Sequence, residues 1–151
     1  MRSQLPDPHP DSLMTTLAGF RYELRRFLRF SELAAVAAGL QPQQHQLLLQ
    51  VAGAAASTTV TIAFAAERLG LRHNSVVELA DRSEREGLLV RISDAQDGRR
   101  VILRLTQKGK RILDRLSADH ARELNELAPQ LIMALEHVAA HAHHRAGVLA
   151  K

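Results

Sequence analysis

The sequence of 151 residues contains no cysteine and no tryptophan, and aromatic residues make up only 3% of it. Without cysteine, the chain has no disulfides, thiolate metal sites or cysteine-based redox sensors of its own. Its core must therefore be built from leucine, valine, isoleucine and alanine. No apolar run reaches the roughly 18 residues that span a membrane. Since residues 1–13 also lack the apolar centre of a signal peptide, we expect a cytoplasmic protein.

The composition that is present is ordinary for a globular protein, 46% hydrophobic and 24% charged. The length fits one domain, or one domain with a dimerisation arm. The net charge of +4 favours a polyanionic partner, although it says nothing about the fold. There is no G-x-S-x-G motif and no glycine-rich phosphate loop, and the carboxylates are scattered. We therefore expect neither an enzyme nor a bound cofactor.

The amino-terminal part predicts an extended arm and then an amphipathic helix. Residues 1–10 hold three of the five prolines and offer little to bury. With Asp11 or Ser12 as its cap, the helix should run to about Arg29. Apolar residues recur along it every three or four positions: Leu13, Leu17, Phe20, Leu24 and Phe27. So long a stripe at the chain end favours an interface over packing on the same domain.

Three further segments lead to the centre of the chain. Ser31 is expected to cap a short helix over residues 32–38 that Gly39 ends. Residues 43–53 predict a core helix whose apolar residues are Leu47, Leu48, Leu49 and Val51. Residues 54–59 (AAASTT) predict a loop.

The centre has the pattern of a helix-turn-helix. A helix over residues 60–69 is broken by Gly70, and a second helix over residues 74–86 is ended by Gly87. Spacings of three and four turn four residues of the second helix inward: Val76, Leu79, Ala80 and Ser83. The residues left outside are His73, Asn74, Ser75, Val77, Glu78, Asp81 and Arg82. Several are short hydrogen-bonding types at a helix amino terminus, which favours phosphate and allows contact with base edges.

A basic hairpin follows the second helix. Residues 88–93 and 101–106 alternate as strands do, and the polar tip between them has Gly98 at the turn and two arginines, Arg99 and Arg100. A helix followed by such a hairpin is typical of a winged helix-turn-helix, whose helix fits the major groove while the hairpin reaches the flanking backbone or minor groove. From Arg72 to Arg111 ten basic residues face six acidic ones. The sequence therefore predicts a DNA-binding regulator.

The carboxy-terminal part predicts two more helices. Thr106 is a good cap for a helix over residues 107–127, which Pro129 should break or kink before a last helix to about His143. Near its end, His137, His141 and His144 share one face, with His143 beside them. Such spacing can present two imidazoles to a metal, but no carboxylate or cysteine stands at matching spacing. A solvated histidine tail is therefore favoured over a metal site.

The central residues resemble those of the MarR family of multiple antibiotic resistance regulators. Asp97-Gly98-Arg99, then Leu103-Arg104-Leu105-Thr106 and Gly109, resemble the family's wing signature D-x-R…L-x-L-T-x-x-G. Leu69-Gly70-Leu71 and Val76…Leu79-Ala80-Asp81-Arg82 are similar to its helix-turn-helix. The similarity is strong over residues 69–109. Outside them only the order of helices matches.

The resemblance implies a mostly helical protein with a small β-hairpin, and with terminal helices that form a dimerisation domain. Residues 1–10 would be a flexible arm, 11–38 and 112–145 the dimerisation helices, and 40–111 the winged helix-turn-helix. It implies a symmetric homodimer on a pseudo-palindromic operator of double-stranded DNA. Such proteins usually repress, and many release DNA when a small anionic or phenolic effector binds in a crevice between head and dimer domain.

Site residues carried over from the resemblance fall into two sets. The DNA-binding set is Thr61, Arg72, His73, Asn74, Ser75, Val77, Glu78, Arg82, Asp97, Gly98, Arg99 and Arg100. Within it Arg82 would contact phosphate or brace the wing, and Arg99 would enter a narrow minor groove with Asp97 orienting it. Asp97 has a second interpretation, in which it only fixes the turn. The ligand-binding set is Phe20, Tyr22, Arg26 and His45, with Arg26 either binding a carboxylate or serving as surface charge.

Glu78 departs from the family, which often has arginine there. Its carboxylate either accepts from a cytosine N4 or pairs with Arg82 four residues on, and the pair is slightly favoured. The turn also differs, with Arg72-His73-Asn74 in place of a Ser-Pro-Ser type, and the loop at residues 54–59 is unusually apolar. A protein-interaction module built on a winged helix is the alternative function, since Glu78 suits a protein partner better than DNA.

Overall fold

The computed structural model of the chain describes residues 13–149, and their side chains as far as residue 141. Over that range it has five helices and one antiparallel hairpin: α1 (Leu13–Ala37), α2 (Pro42–Gly53), α3 (Ile62–Leu69), α4 (His73–Arg85), β1 (Leu89–Ser93), β2 (Val101–Leu105) and α5 (Gln107–Leu149). The predicted fold class, a mostly helical winged helix-turn-helix, is confirmed. The described residues form two compact units, a central unit of residues 31–120 and a terminal unit of residues 13–30 and 121–149.

The central unit is built around an aliphatic core. Leucines of α2 (Leu47, Leu48), of the hairpin (Leu89, Leu103) and of α5 (Leu113) are all buried. Leu49, which was expected to join them, is wrong as a core residue, since it remains 39% exposed on the other side of α2. Gln44 and His45 are buried instead, because their positions on the helix face inward.

The helix-turn-helix has defined ends. Thr61 Oγ1 accepts a hydrogen bond from the Phe64 amide (3.2 Å), so α3 begins after Thr61. It ends at Gly70, whose φ of 64° lies in the left-handed region that favours glycine. All four residues expected to turn inward from α4 are buried: Val76, Leu79, Ala80 and Ser83. The periodicity of the sequence therefore predicted the orientation of α4 correctly.

Val60 and Thr61 are extended and not helical, which corrects the expected start of α3 at residue 60. Thr61 forms a β-bridge with Ile102, and the Leu103 amide donates to the Val60 carbonyl at 2.8 Å. The two β-branched residues thereby add a short third segment beside β2. The base of the wing is thus tied to the start of α3.

Helix α1 is continuous, which corrects the expected second helix capped by Ser31. Ser31 is buried within α1, and its Oγ lies 2.7 Å from Nε2 of His120. No glycine or proline interrupts residues 20–38, so nothing ends the helix early. Gly39 does end it, with φ 82° and a bond from the Leu40 amide to the Ala35 carbonyl (2.9 Å).

Helix α5 is also continuous through Pro129, so the expected break there is wrong, while the alternative of a kink stays a prediction. A proline removes one backbone hydrogen-bond donor, but it holds φ near the helical value. The helix can therefore continue through this residue. The expected cap is confirmed, because Thr106 Oγ1 accepts from the Gly109 amide at 3.0 Å. Gly109 itself packs against the wing, where an added Cβ would collide with the Leu88 carbonyl. Within the described range no helix has the length and apolar character needed to cross a membrane.

Candidate nucleic-acid interface

The exposed start of α4 collects many of the residues predicted to bind DNA. Arg72 precedes the helix without a side-chain cap, so the first amides of α4 are not satisfied by its own side chain. His73, Asn74 and Ser75 form the first turn and are exposed, as is Glu78 one turn on. Free amides and the helix dipole both favour an anion at this end.

The wing is fastened to α4 by Arg91, a residue that the sequence interpretation missed. Its Nε lies 2.8 Å from Glu84 Oε2, its amide donates to Glu84 Oε1 at 2.9 Å, and its guanidinium also pairs with Asp81. The amide and then the side chain of Arg91 hold the pKa of Glu84 below its ordinary value. The sequence offered little indication of this contact. Glu84 and Arg91 are seven residues apart, and they meet only because the strand folds back against the helix.

Arg82 neither braces the wing nor pairs with Glu78, and both expectations are corrected. Its guanidinium donates to Oε1 of Gln41, the residue that precedes α2. Gln41 and Gln44 already cap each other's backbone there, so Arg82 adds a tie between α2 and α4. Within the described residues the Glu78 side chain has no ion pair. An exposed pair at this spacing contributes only about 0.2–0.5 kcal/mol, so Arg82 loses little by bonding elsewhere.

The wing tip is shaped by its aspartates. Asp97 Oδ1 accepts from the Arg99 amide (3.1 Å), and the Asp97 carbonyl accepts from the Arg100 amide (2.9 Å). Asp97 therefore fixes the turn and does not hold the Arg99 guanidinium, as the second interpretation had it. Gly98 does not adopt positive φ, so the turn does not need a glycine for that reason. Arg100 lies 3.7 Å from Asp94, while the Arg99 side chain is exposed.

A groove of about 230 Å³ brings three separate segments of the predicted DNA-binding set together. It is lined by the start of α3, by α4 and by the wing: Thr61, His73, Val77, Arg91, Arg99 and Arg100. Arg91 and Arg100 are paired with carboxylates of the chain, whereas Arg99 has no ion pair among the described residues. An exposed arginine in a groove beside a helix amino terminus suits the phosphate backbone of a nucleic acid. The other residues named here follow Thr61 by 12 to 39 positions in the sequence.

The residues expected to bind a ligand lie in different surroundings. In the terminal unit, Phe20 lines a cavity of about 300 Å³ between α1 and α5. Tyr22 and Arg26 are exposed on α1 and do not line it. The Arg26 guanidinium lies 6.0 Å from the centre of the Tyr22 ring and 3.0 Å from Glu23.

His45 lies in the central unit and is buried. Its ring centre is 4.9 Å from that of His120, which is also bonded to Ser31. Burial, and then the nearby charge of His120, lower the pKa of His45. Both effects favour the neutral form of the His45 imidazole.

A second cavity in the central unit, about 670 Å³, was not expected. It is lined by the loop at residues 54–59 and by β2, including Arg104. The unusually apolar loop was its only signal in the sequence. No cluster of three or more potential metal ligands occurs among the described residues. His143 and His144, part of the histidine tail, have side chains outside the described residues, as do the arm at residues 1–10 and the cap at Asp11 or Ser12.

Comparison with known proteins finds one matching family model. The family model of the MarR family matches residues 38–100, which hold α2 to α4 and most of the wing. No curated protein sequence matches the chain.

Solved structures share the fold. The PcaV transcriptional regulator of Streptomyces coelicolor, in complex with its natural ligand, is 29% identical with a TM-score of 0.57, over 85% of this chain and 91% of PcaV. CouR of Rhodococcus jostii, bound to p-coumaroyl-CoA, is 24% identical with a TM-score of 0.58, over 76% of this chain and 84% of CouR. A MepR variant of S. aureus, bound to an oligodeoxyribonucleotide, is 21% identical with a TM-score of 0.62, over 86% of this chain and 94% of MepR. Residues 38–100 thus match the MarR family model, and the solved structures that share the fold include the transcriptional regulator PcaV.

Proposed function

We propose that this chain is a homodimeric, sequence-specific DNA-binding regulator, a repressor that a small-molecule effector releases from DNA. The observation that carries the proposal is the groove where Thr61, His73 and Val77 meet the wing arginines. Residues from three segments of the chain converge there beside the exposed start of α4.

In the proposed complex, α4 enters the major groove. Arg72, His73, Asn74 and Ser75 then face base edges and the nearest phosphates, together with Val77, Glu78 and Arg82. The wing tip reaches the flanking minor groove, where the negative potential favours Arg99 and Arg100. Asp97 and Gly98 shape that tip.

Charge supports the same assignment. The segment from Arg72 to Arg111 has four more basic than acidic residues, which equals the net charge of the whole chain. Two copies of the segment double the excess. Affinity for DNA should therefore fall with salt, with a log–log slope near −0.9 for each phosphate neutralised.

The exposed apolar residues of the terminal unit support a homodimer. On α1, Met14 is 82% exposed, and on α5 Ile132 and Met133 are 53% and 66% exposed. Apolar faces of this kind mark interfaces more often than free surfaces. A two-fold dimer would also present two copies of α4 to the two halves of a palindrome.

The effector is proposed to be a small anionic or phenolic molecule. PcaV was solved with its natural ligand and CouR with p-coumaroyl-CoA, which supports an effector here. Phe20, Tyr22 and Arg26, all on α1, are the proposed contacts. His45 is buried in the central unit, so its part in effector binding stays a prediction from the family resemblance. The exposed guanidinium of Arg26 beside the Tyr22 ring offers a cation and an aromatic face to such a molecule.

Fluorescence anisotropy tests the proposal with the duplex upstream of the protein's own gene, a scrambled duplex and a salt series. We expect the upstream duplex to bind more than about a hundredfold tighter than the scrambled one, as specific readers do. Arg99→Ala should weaken binding, whereas Arg111→Ala, which removes an exposed arginine of α5, should weaken it much less. Equal, weak binding to both duplexes together with no effect of Arg99→Ala would refute the proposal.

The alternative function is a protein-interaction module, which the exposed and unpaired Glu78 favours. A module of this kind has no need of the wing arginine, so Arg99→Ala would leave its partner binding intact. The same variant that disables a DNA reader thus discriminates between the two functions.

A further inference from the structure

Four carboxylates lie on α4 or at its carboxyl end, and three of them are held by other groups of the chain. Asp81 and Glu84 both bind Arg91 of the wing. Glu86 accepts a hydrogen bond of 2.8 Å from a glutamine side chain of α2. Glu78 is the exception, because its carboxylate has neither an ion pair nor a hydrogen bond within the described part of the chain.

Glu78 also occupies the exposed face of α4 that begins at the groove. It follows Asn74 by four residues and Ser75 by three, so the three side chains share one face of the helix. The residue that stands four positions further on, Arg82, would be its natural partner. Since the Arg82 guanidinium donates to Gln41, the charge of Glu78 is left without compensation on this face.

An ionised carboxylate accepts hydrogen bonds and cannot donate them, and phosphates repel it. In the major groove, cytosine N4 and adenine N6 are donors, whereas guanine O6 and N7 and thymine O4 are acceptors. A carboxylate against guanine or thymine thus sets acceptor against acceptor where water has been removed. Cytosine suits it better than adenine, whose N7 acceptor lies beside its donor.

We infer that Glu78 is a specificity-determining residue that selects a cytosine in the major groove of each operator half-site and rejects guanine and thymine there. The inference rests on the proposed function, because it requires α4 in the major groove. The carboxylate gains a hydrogen bond from cytosine and repels the acceptors of guanine and thymine, so it both favours one base and disfavours two others.

The test is selection of binding sites by the full chain from a library of random DNA duplexes, followed by sequencing. The wild type should enrich a two-fold motif with one fixed C·G pair in each half-site that depends on Glu78. In anisotropy, inverting that pair to G·C should weaken wild-type binding on the order of tenfold to a hundredfold.

Two variants separate a reading residue from a surface charge. Glu78→Ala should lose the preference at that one position and keep the rest of the motif. Glu78→Gln should shift the preference toward adenine, because an amide matches both N6 and N7 of that base. Glu32→Ala removes the same charge from an exposed site on α1 and should leave the motif unchanged.

The failures of the inference and of the proposed function are distinguishable. If Glu78→Ala enriches the wild-type motif with the cytosine intact, the inference is overturned while DNA binding stands. If the wild type itself enriches no motif, sequence-specific binding fails and the inference falls with it.

Discussion

The two units of this chain treat apolar side chains in opposite ways. In the central unit, fifteen aliphatic residues form one buried cluster, which is what a domain needs to fold by itself. In the terminal unit, Leu127 is the one buried hydrophobic among the described residues, while Met14, Ile132 and Met133 are more than half exposed. Exposed apolar surface of this extent on helices marks a site of interaction with another molecule. The central unit thus buries its apolar side chains within one chain, whereas the exposed apolar side chains of the terminal unit support the proposed homodimer.

The largest expected effect comes from breaking the core of the central unit. Leu48 is fully buried on α2. Leu48→Ala should lower the free energy of unfolding by about 2–5 kcal/mol, because burial is lost and a cavity is left behind. Leu49→Ala is the matched control on the same helix and should cost less than half as much, since Leu49 is 39% exposed. Urea denaturation followed by circular dichroism measures both. Equal losses would contradict the placement of Leu48 in the core.

A smaller effect is expected from placing a charge on the apolar face of the terminal unit. Ile132→Glu should raise the dimer dissociation constant at least about tenfold, or roughly 1.4 kcal/mol, because a carboxylate would be desolvated in the interface. Sedimentation equilibrium measures that constant. Asn125→Glu adds the same charge at an exposed polar site of α5 and should change it less. A dimer of unchanged affinity in Ile132→Glu would remove this face from the proposed interface.

The sequence predicted those features of the central unit that depend on residues close together in the chain. The inward face of α4, the Thr106 cap and the helix end at Gly39 each depend on residues within about one turn. The errors in helix ends had the opposite origin. Val60 looked helical by its neighbours, but the pairing partner that makes it extended, Leu103, lies 43 positions later.

The candidate site shows the same division. The exposed residues of α4 and the wing arginines were readable from the sequence, because polarity and spacing mark them. The partners of Arg82 and Arg91 were not, since an exposed arginine has several acids within reach and only the packing of α2, α4 and β1 decides among them. Pro129 misled for another reason: a proline weakens a helix but does not by itself end one.

Loosening the wing within the central unit should have a moderate effect. Arg91→Ala removes the contacts to Glu84 and Asp81, and we expect DNA affinity to fall about threefold to tenfold, or roughly 0.7–1.4 kcal/mol. The free energy of unfolding should fall by less than about 1 kcal/mol, because these ion pairs are about one-third exposed. Arg104→Ala, on β2 and without an ion pair among the described residues, is the control. Unchanged affinity in Arg91→Ala would show that the wing is positioned without this contact.

The smallest expected effect concerns His45, a titratable group in the otherwise largely aliphatic interior of the central unit. Its pKa in the folded chain is lowered, by burial first and then by His120, so the unfolded chain binds this proton more readily. The free energy of unfolding should therefore be unaffected by His45 well above its ordinary pKa of 6.5. It should then decrease as the pH falls below that value, until the folded pKa is reached. The Tm of thermal unfolding should drop between pH 7.5 and pH 5.5, and His45→Gln should make that drop smaller. The control is His73→Gln, at an exposed histidine of α4, which should leave the drop in Tm unchanged. If His45→Gln keeps the full drop, the pH dependence does not arise from His45.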